Sequence, residues 1–337
     1  MKTHYLERFN PAAFAYVMAT IVISLILYLM EWRFLSLLFF ILGLIGYGLL
    51  VILAVARFIF FGKKALQEFT DIHMLFKYYT FCAGTNELAA RFIFNGYDYI
   101  GLTLGIIGTV STLLLTYTLF GSLLFHKNYS IESVSPLWLL MAIANNSVGI
   151  VITTLRQHHV LVNDLFLLGA FCFWAFGVVI YVCFITLNIY RFLFLPLKGK
   201  DLSPSYWTCM GAAAIAVVDG SSIILSVQPP QFLQLVTPFM AGTILLLWGW
   251  GTGWIPILFF MGMLKHGYYK IPMQYDSSFW AMVFPLGMYT FAIHILNSSV
   301  HLGLVQGVVP FCMWTSIIVW IFVACLKFIS YSPTSLN

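Results

Sequence analysis

The sequence predicts an all-α integral membrane protein, with ten transmembrane helices folded as five antiparallel hairpins around a central pore. Three observations carry that prediction. Of the 337 residues, 61% are hydrophobic and only 8% charged, whereas soluble domains carry about 25% charged residues. The apolar residues gather into ten stretches, each near or above the roughly 20 residues that a helix needs to cross a bilayer. The connections between stretches are short, which makes sequence neighbours antiparallel partners. No hydrophilic stretch is long enough for a second domain, so residues 1–337 read as one transmembrane unit.

The predicted spans are 12–30, 34–61, 72–91, 99–125, 136–157, 165–194, 205–226, 231–264, 277–299 and 300–328. The opening MKTHYLERFNP lacks the apolar core and small-residue cleavage site of a removable signal peptide. The third span is the least apolar, being interrupted by Lys77, Asn86, Glu87 and Arg91. The eighth carries Pro238 and Pro256 and is too long for one straight crossing, so it is expected to tilt or break. The ninth, SSFWAMVFPLGMYTFAIHILNSS, holds Pro285 near its middle and Gly287 two residues later. A proline there removes one backbone hydrogen bond and predicts a kink. Phe284, just before it, would point its ring wherever the kink opens.

Basic residues set the orientation, because they concentrate on the cytoplasmic side. Thirteen of the sixteen fall on the side of the N-terminus, among them Lys2, Arg8, Arg57, Lys77, Lys127 and Arg191. Arg33, Arg91 and Arg156 fall opposite. Both termini are therefore expected in the cytoplasm, with the chain in the cell membrane.

Polar side chains at membrane depth are costly and usually face the bundle interior. Here they favour the odd spans: Thr20 and Ser24; Asn86 and Glu87; Asn145 and Asn146; Asp219, Ser221 and Ser222; His294, Asn297 and Ser298. The even spans carry mainly hydroxyls and glycines. An inner ring of five odd helices, sheathed by five even ones, would gather these groups around one axis. Glu87 and Arg91 stand four residues apart and predict an ion pair on one helix. Asp219 has no basic neighbour within a turn, so it is expected either neutral or partnered by a group such as His294.

Other classes lack their signals. The six cysteines lie in apolar segments with no C-x-x-C pair, which argues against a metal site or disulfide framework. The charge of +5 is scattered over short loops and gives no sign of nucleic-acid binding. No phosphate-binding glycine loop points to an ATP-driven pump. A membrane-embedded enzyme would need an H-E-x-x-H pair or a G-x-S-x-G elbow, and neither is present. The sequon-like triplets at Asn128, Asn145 and Asn297 fall in a cytoplasmic loop or at membrane depth and are set aside.

Four stretches carry a resemblance: FNPAAFAYVMAT (Phe9 to Thr20), YWTCMGAAAIA (Tyr206 to Ala216), LLWGWGTGWIPIL (Leu246 to Leu258) and FWAMVFPLGMYTFA (Phe279 to Ala292). Across essentially its whole length the chain resembles the tellurite-resistance/dicarboxylate transporter family, the slow anion channel superfamily that includes bacterial TehA. The resemblance implies ten helices in five hairpins around a pore, a homotrimer with one pore per protomer, and no cofactor. It implies small inorganic or organic anions as the transported species. In those relatives a phenylalanine on the ninth helix occludes the pore, and Phe284 is the matching position. Pro285 and Gly287 then form the kink, with Thr20, Ser24, Asn86, Asn145, Asn146, Asp219, Ser222, Phe291, His294 and Ser298 expected along the pore. The rival within transport is a proton-coupled carrier for C4-dicarboxylates or sulfite, with Asp219 handling the proton. Glu87 and Asp219 match no motif of that family.

Overall fold

The computed structural model describes residues 6–7, 9–125 and 130–331, and among these the regular structure is helical throughout. Lys2, Arg8, Lys127 and Asn128 lie outside the described residues. Ten long helices succeed one another: α1 (Ala15–Leu29), α2 (Arg33–Gln67), α3 (Ile72–Phe94), α4 (Asp98–Phe125) and α5 (Leu140–Gln157) make up the first half. The second half holds α6 (Asp164–Phe194), α7 (Thr208–Ile224), α8 (Gln231–Met263), α9 (Trp280–Val300) and α10 (Val309–Tyr331). Nine of them are long and apolar enough to cross a membrane. The exception is α3, whose Lys77, Glu87 and Arg91 dilute its apolar run.

Three boundaries differ from those read in the sequence. α2 continues to Gln67, with a break in helical geometry at Phe61 (φ −132°, ψ 33°). α8 runs through both Pro238 and Pro256 and ends in a π turn at Leu264–Tyr268. Each proline removes one hydrogen bond, and the flanking ladder carries the helix across. α10 starts at Val309, because His301 takes a left-handed conformation (φ 55°) that ends α9 and Gly303–Val308 form a 3-10 turn.

Each odd helix packs against the helix that follows it. The odd helices also touch one another in a closed order, α1–α3–α5–α7–α9 and back to α1. Burial separates the two sets. In α1, α5, α7 and α9, between 72 and 94% of the apolar stretch is buried, against 17–33% in the even helices. A helix apolar on all sides can face lipid, so the even helices form the sheath.

Polar contacts tie sheath to ring. Trp320 of α10 donates to Thr20 Oγ1 (3.0 Å), Tyr79 of α3 to Thr116 of α4 (3.3 Å), and Trp174 of α6 to the Ala216 carbonyl of α7 (2.9 Å). Close backbone approach does the rest. A methyl group at Gly108 of α4 would collide with the Asn86 amide, and one at Gly177 of α6 with that of Asn146.

Candidate functional site: a vestibule at five helix N-termini

All five ring helices begin at the same end of the bundle; α3 is capped directly, and the other four are entered through 3-10 turns (Pro11–Phe14, Pro136–Leu139, Pro204–Trp207 and Ser277–Phe279) whose first N–H groups a side chain caps. Asn10 accepts from the Ala12 N–H (3.1 Å), Asp71 from His73 (2.9 Å) and Ser135 from Leu137 (3.2 Å). Ser203 accepts from Ser205 (3.3 Å) and Asp276 from Ser278 (2.8 Å). These short polar side chains satisfy N–H groups that a helix start leaves unpaired. Pro11, Pro136 and Pro204 follow three of the caps, where the missing N–H is no loss. Neighbouring entrances are stitched in the same way twice: Thr80 donates to the Pro11 carbonyl and Thr208 to the Pro136 carbonyl, each at 2.9 Å.

Between these entrances lies a cavity of about 300 Å³ to which every ring helix contributes. Asn10, Lys77, Ser203 and Asp276 stand among its outer lining. The innermost residue from each helix is Met18, Thr80, Leu140, Thr208 or Phe284. A helix N-terminus carries about half a positive charge and is a ready site for anions. Five of them converge here, and of the two charged side chains in the lining, Asp276 balances Lys77.

Phe284 is 2% exposed. Its neighbours in sequence fix it. Pro285 packs on Gly211 of α7, where an added methyl would approach the proline ring to 2.7 Å. Gly287 faces Val22 of α1, again with no room for a side chain. These two contacts seat α9 between α7 and α1. The helix is continuous from Trp280 to Val300 through Pro285.

Helical periodicity extends the site inward. Seven residues fall about 20° short of two turns and advance about 10 Å, so steps of seven stay on one face. From the innermost lining residues, one step reaches Leu25, Glu87, Ser147, Ile215 and Phe291, all buried. This layer is apolar but for one hydroxyl and one acid. A second step leaves α1 and reaches Phe94, Thr154, Ser222 and Ser298 on the other four helices, three of them hydroxyls, with Ser298 exposed. By this periodicity the cavity face is followed along the ring by a mainly apolar level and then by a level of three hydroxyls and Phe94.

Of the residues expected along the pore, Phe284 lines the vestibule, Phe291, Ser222 and Ser298 follow at steps of seven from its lining residues, and His294 is partly buried one turn past Phe291. Other polar residues turn into seams between helices. Thr20 receives the Trp320 indole, and Ser24 donates to the Ser36 carbonyl of α2 (2.7 Å). Asn86 donates to Ser147 (2.8 Å) and lies against α4, while Asn146 lies against α6. Asn145 donates to the Met141 carbonyl (2.8 Å) and borders an outward crevice between α4 and α6. A neighbouring helix, or a carbonyl one turn back on the same helix, can take the hydrogen bond that water in a path would take, as for Ser24, Asn86 and Asn145.

The expected Glu87–Arg91 ion pair does not form. Arg91 donates to Ser24 (2.8 Å), Ser36 (2.8 Å) and Asn95 (2.6 Å), and its guanidinium lies over Tyr28. Three acceptors in fixed positions outcompete one carboxylate a turn away. Neither Glu87 oxygen has a hydrogen-bond partner. Asp219 is likewise fully buried with both oxygens unpartnered, wedged against Gly149 of α5 and not joined to His294. Sequence reasoning missed the vestibule residues Met18, Thr80, Leu140 and Thr208. The repeated cap-proline pairs were the available signal.

A ring of five buried helices around a vestibule, sheathed by five lipid-facing ones, is an architecture suited to membrane transport. The family model described as voltage-dependent anion channel matches residues 8–328. The chain belongs to that family, and with it is a multi-pass membrane protein of anion transport. Among its relatives is an uncharacterized transporter of Methanocaldococcus jannaschii, 22% identical over 333 residues, covering 94% of this chain and 93% of the relative. A second transporter of that organism is 24% identical over 274 residues (79 and 76%). An uncharacterized membrane protein of Mycobacterium tuberculosis is 34% identical over 141 residues (42 and 71%).

Proposed function

We propose that the chain is a gated channel for small anions, with the path running along the axis of the odd-helix ring and closed at Phe284. The observation that carries this reading is the vestibule itself: five capped helix entrances around one cavity, with Phe284 among the residues at its inner end. Beyond Phe284 the layer of Leu25, Ile215 and Phe291 offers an anion nothing in place of its hydration shell. A constriction of that kind gates by excluding water. Pro285 against Gly211 and Gly287 against Val22 hold the ring of Phe284 in place. By the family resemblance the protein acts as a homotrimer with one pore in each protomer. The basic asymmetry supports a vestibule and termini on the cytoplasmic side, so a reporter active only outside the cytoplasm should be silent when fused after Asn337.

The test is Phe284→Ala in proteoliposomes loaded with chloride, nitrate or a dicarboxylate. Removing the ring lets water reoccupy the constriction and should raise anion flux clearly above wild type in well-folded protein. If Phe284 were only a packing residue, the same truncation would cost about 3–5 kcal/mol of stability and open nothing. A second reading, a proton-coupled carrier for dicarboxylates or sulfite, is favoured by the unpartnered Asp219. On that reading Asp219→Asn abolishes dependence on a pH gradient.

A further inference from the structure

Two carboxylic acids are buried in the ring without a partner, and they sit differently. Asp219 is wedged in the α5–α7 seam against Gly149. Glu87 lies on the face of α3 that carries Thr80 into the vestibule, two turns further in and level with Leu25, Ile215 and Phe291.

Among the described residues, no charged group within reach is free to neutralise Glu87: Lys77, on α3 itself, lies ten residues and so about 15 Å back toward the vestibule. On α3 itself, Arg91 is committed to Ser24, Ser36 and Asn95. α1 brings only Tyr16 and Tyr28, and Tyr28 lies under that guanidinium. On α5, Arg156 is held by Asp164 and by the carbonyls of Val162, Val227 and Gln228. On α4, Asp98 pairs with His158. In the turn before α3, Glu68 pairs with Arg57. Tyr47 of α2 is bonded to Thr85.

A buried carboxylate without donor or counter-ion is strongly disfavoured, and a proton is then the one partner small enough to reach it. The charged form would also stand in an anion's way, since like charges in a low-dielectric constriction repel strongly. We propose that Glu87 is a proton-binding site on the conduction path, and that anions cross this mainly apolar level only while Glu87 carries a proton taken from water in the path. This rests on the gated-pore reading and adds to it a second condition besides Phe284. It makes anion conduction acid-favoured: above the titration midpoint the conducting fraction falls about tenfold per pH unit.

The test has two readouts. In the first, the infrared band of a protonated carboxyl is compared in purified wild type, Glu87→Gln and Asp219→Asn. A component lost specifically in Glu87→Gln is expected, and identical spectra in wild type and Glu87→Gln overturn the proposal. In the second, anion flux is followed from acid to neutral pH in the wild-type and Phe284→Ala backgrounds. In the Phe284→Ala background Glu87→Gln should make flux high and flat with pH, while Glu87→Asp and Asp219→Asn keep the acid preference; with Phe284 in place flux stays low in every variant. Persistence of the preference in Glu87→Gln, or its loss in Asp219→Asn instead, overturns the proposal. Should Phe284→Ala fail to leak, the gate reading falls, and the infrared comparison still decides Glu87.

Discussion

The ring and the sheath of this molecule solve different problems with the same apolar alphabet. Sheath helices such as α2 and α10 leave most of their stretch uncovered, and Phe34, Ile59, Phe311 and Phe328 are each more than 70% exposed. Ring helices bury nearly everything, including Asn86, Glu87, Asn146 and Asp219. In a bilayer the uncovered apolar side chain is the satisfied one, and the buried polar one needs a reason. The difference shows that the reasons are not alike. Some ring polar groups, such as Ser24, Asn86 and Arg91, fasten helices together; others, such as Asn145 and Ser222, bond within their own helix, and Glu87 and Asp219 bond to nothing among the described residues.

Substitutions can break that comparison, and the largest effect is expected inside the ring. Arg91 joins α3 to α1 and α2 through Ser24 and Ser36, and hydrogen bonds to a charged group are worth about 1.5–3 kcal/mol each. Arg91→Ala should therefore lower the thermal melting of the detergent-purified protein sharply, read by the fraction that survives heating on gel filtration. An unchanged melt would mean that this cluster is not what joins the three helices. At the other extreme, Leu114 of α4 is 65% exposed. Leu114→Ala should shift stability by no more than about 0.5 kcal/mol, the usual range for surface positions. A large loss there would show that this face is covered, as in an interface between copies.

The sequence made the ring legible, and its polar lining much less so. The alternation of polar odd spans with apolar even ones pointed to the five helices that do close on one another. Span ends were readable where a cap and a proline mark them, as at Asn10–Pro11 and Ser203–Pro204. They were not readable at the start of α10, where the apolar run continues through the turn at His301 and the helix does not. Residue type could not say which way Asn86 or Asn145 turns, because a neighbouring side chain (Ser147) or a carbonyl one turn back (Met141) offers the amide the same bond as water. The Glu87–Arg91 pairing failed for a related reason. Spacing on one helix ignores acceptors such as Ser36 that only tertiary contact supplies. Phe284 was found through resemblance and its neighbour Pro285, whereas Met18, Thr80 and Thr208 look like ordinary helix residues until the five entrances are brought together.

The central claim is that a continuous path runs past Phe284 into the layer of Leu25, Ile215 and Phe291. It is tested most directly by placing Leu25→Cys in a chain whose six native cysteines have been replaced, and adding a small anionic thiol reagent to the vestibule side. With Phe284 present the thiol should be unreactive, because the ring keeps water and reagent out. With Phe284→Ala added it should label readily, at a rate that a permeant anion slows by competition. A thiol at position 25 that stays unreactive after Phe284 has been truncated, in protein that remains folded, would contradict the account.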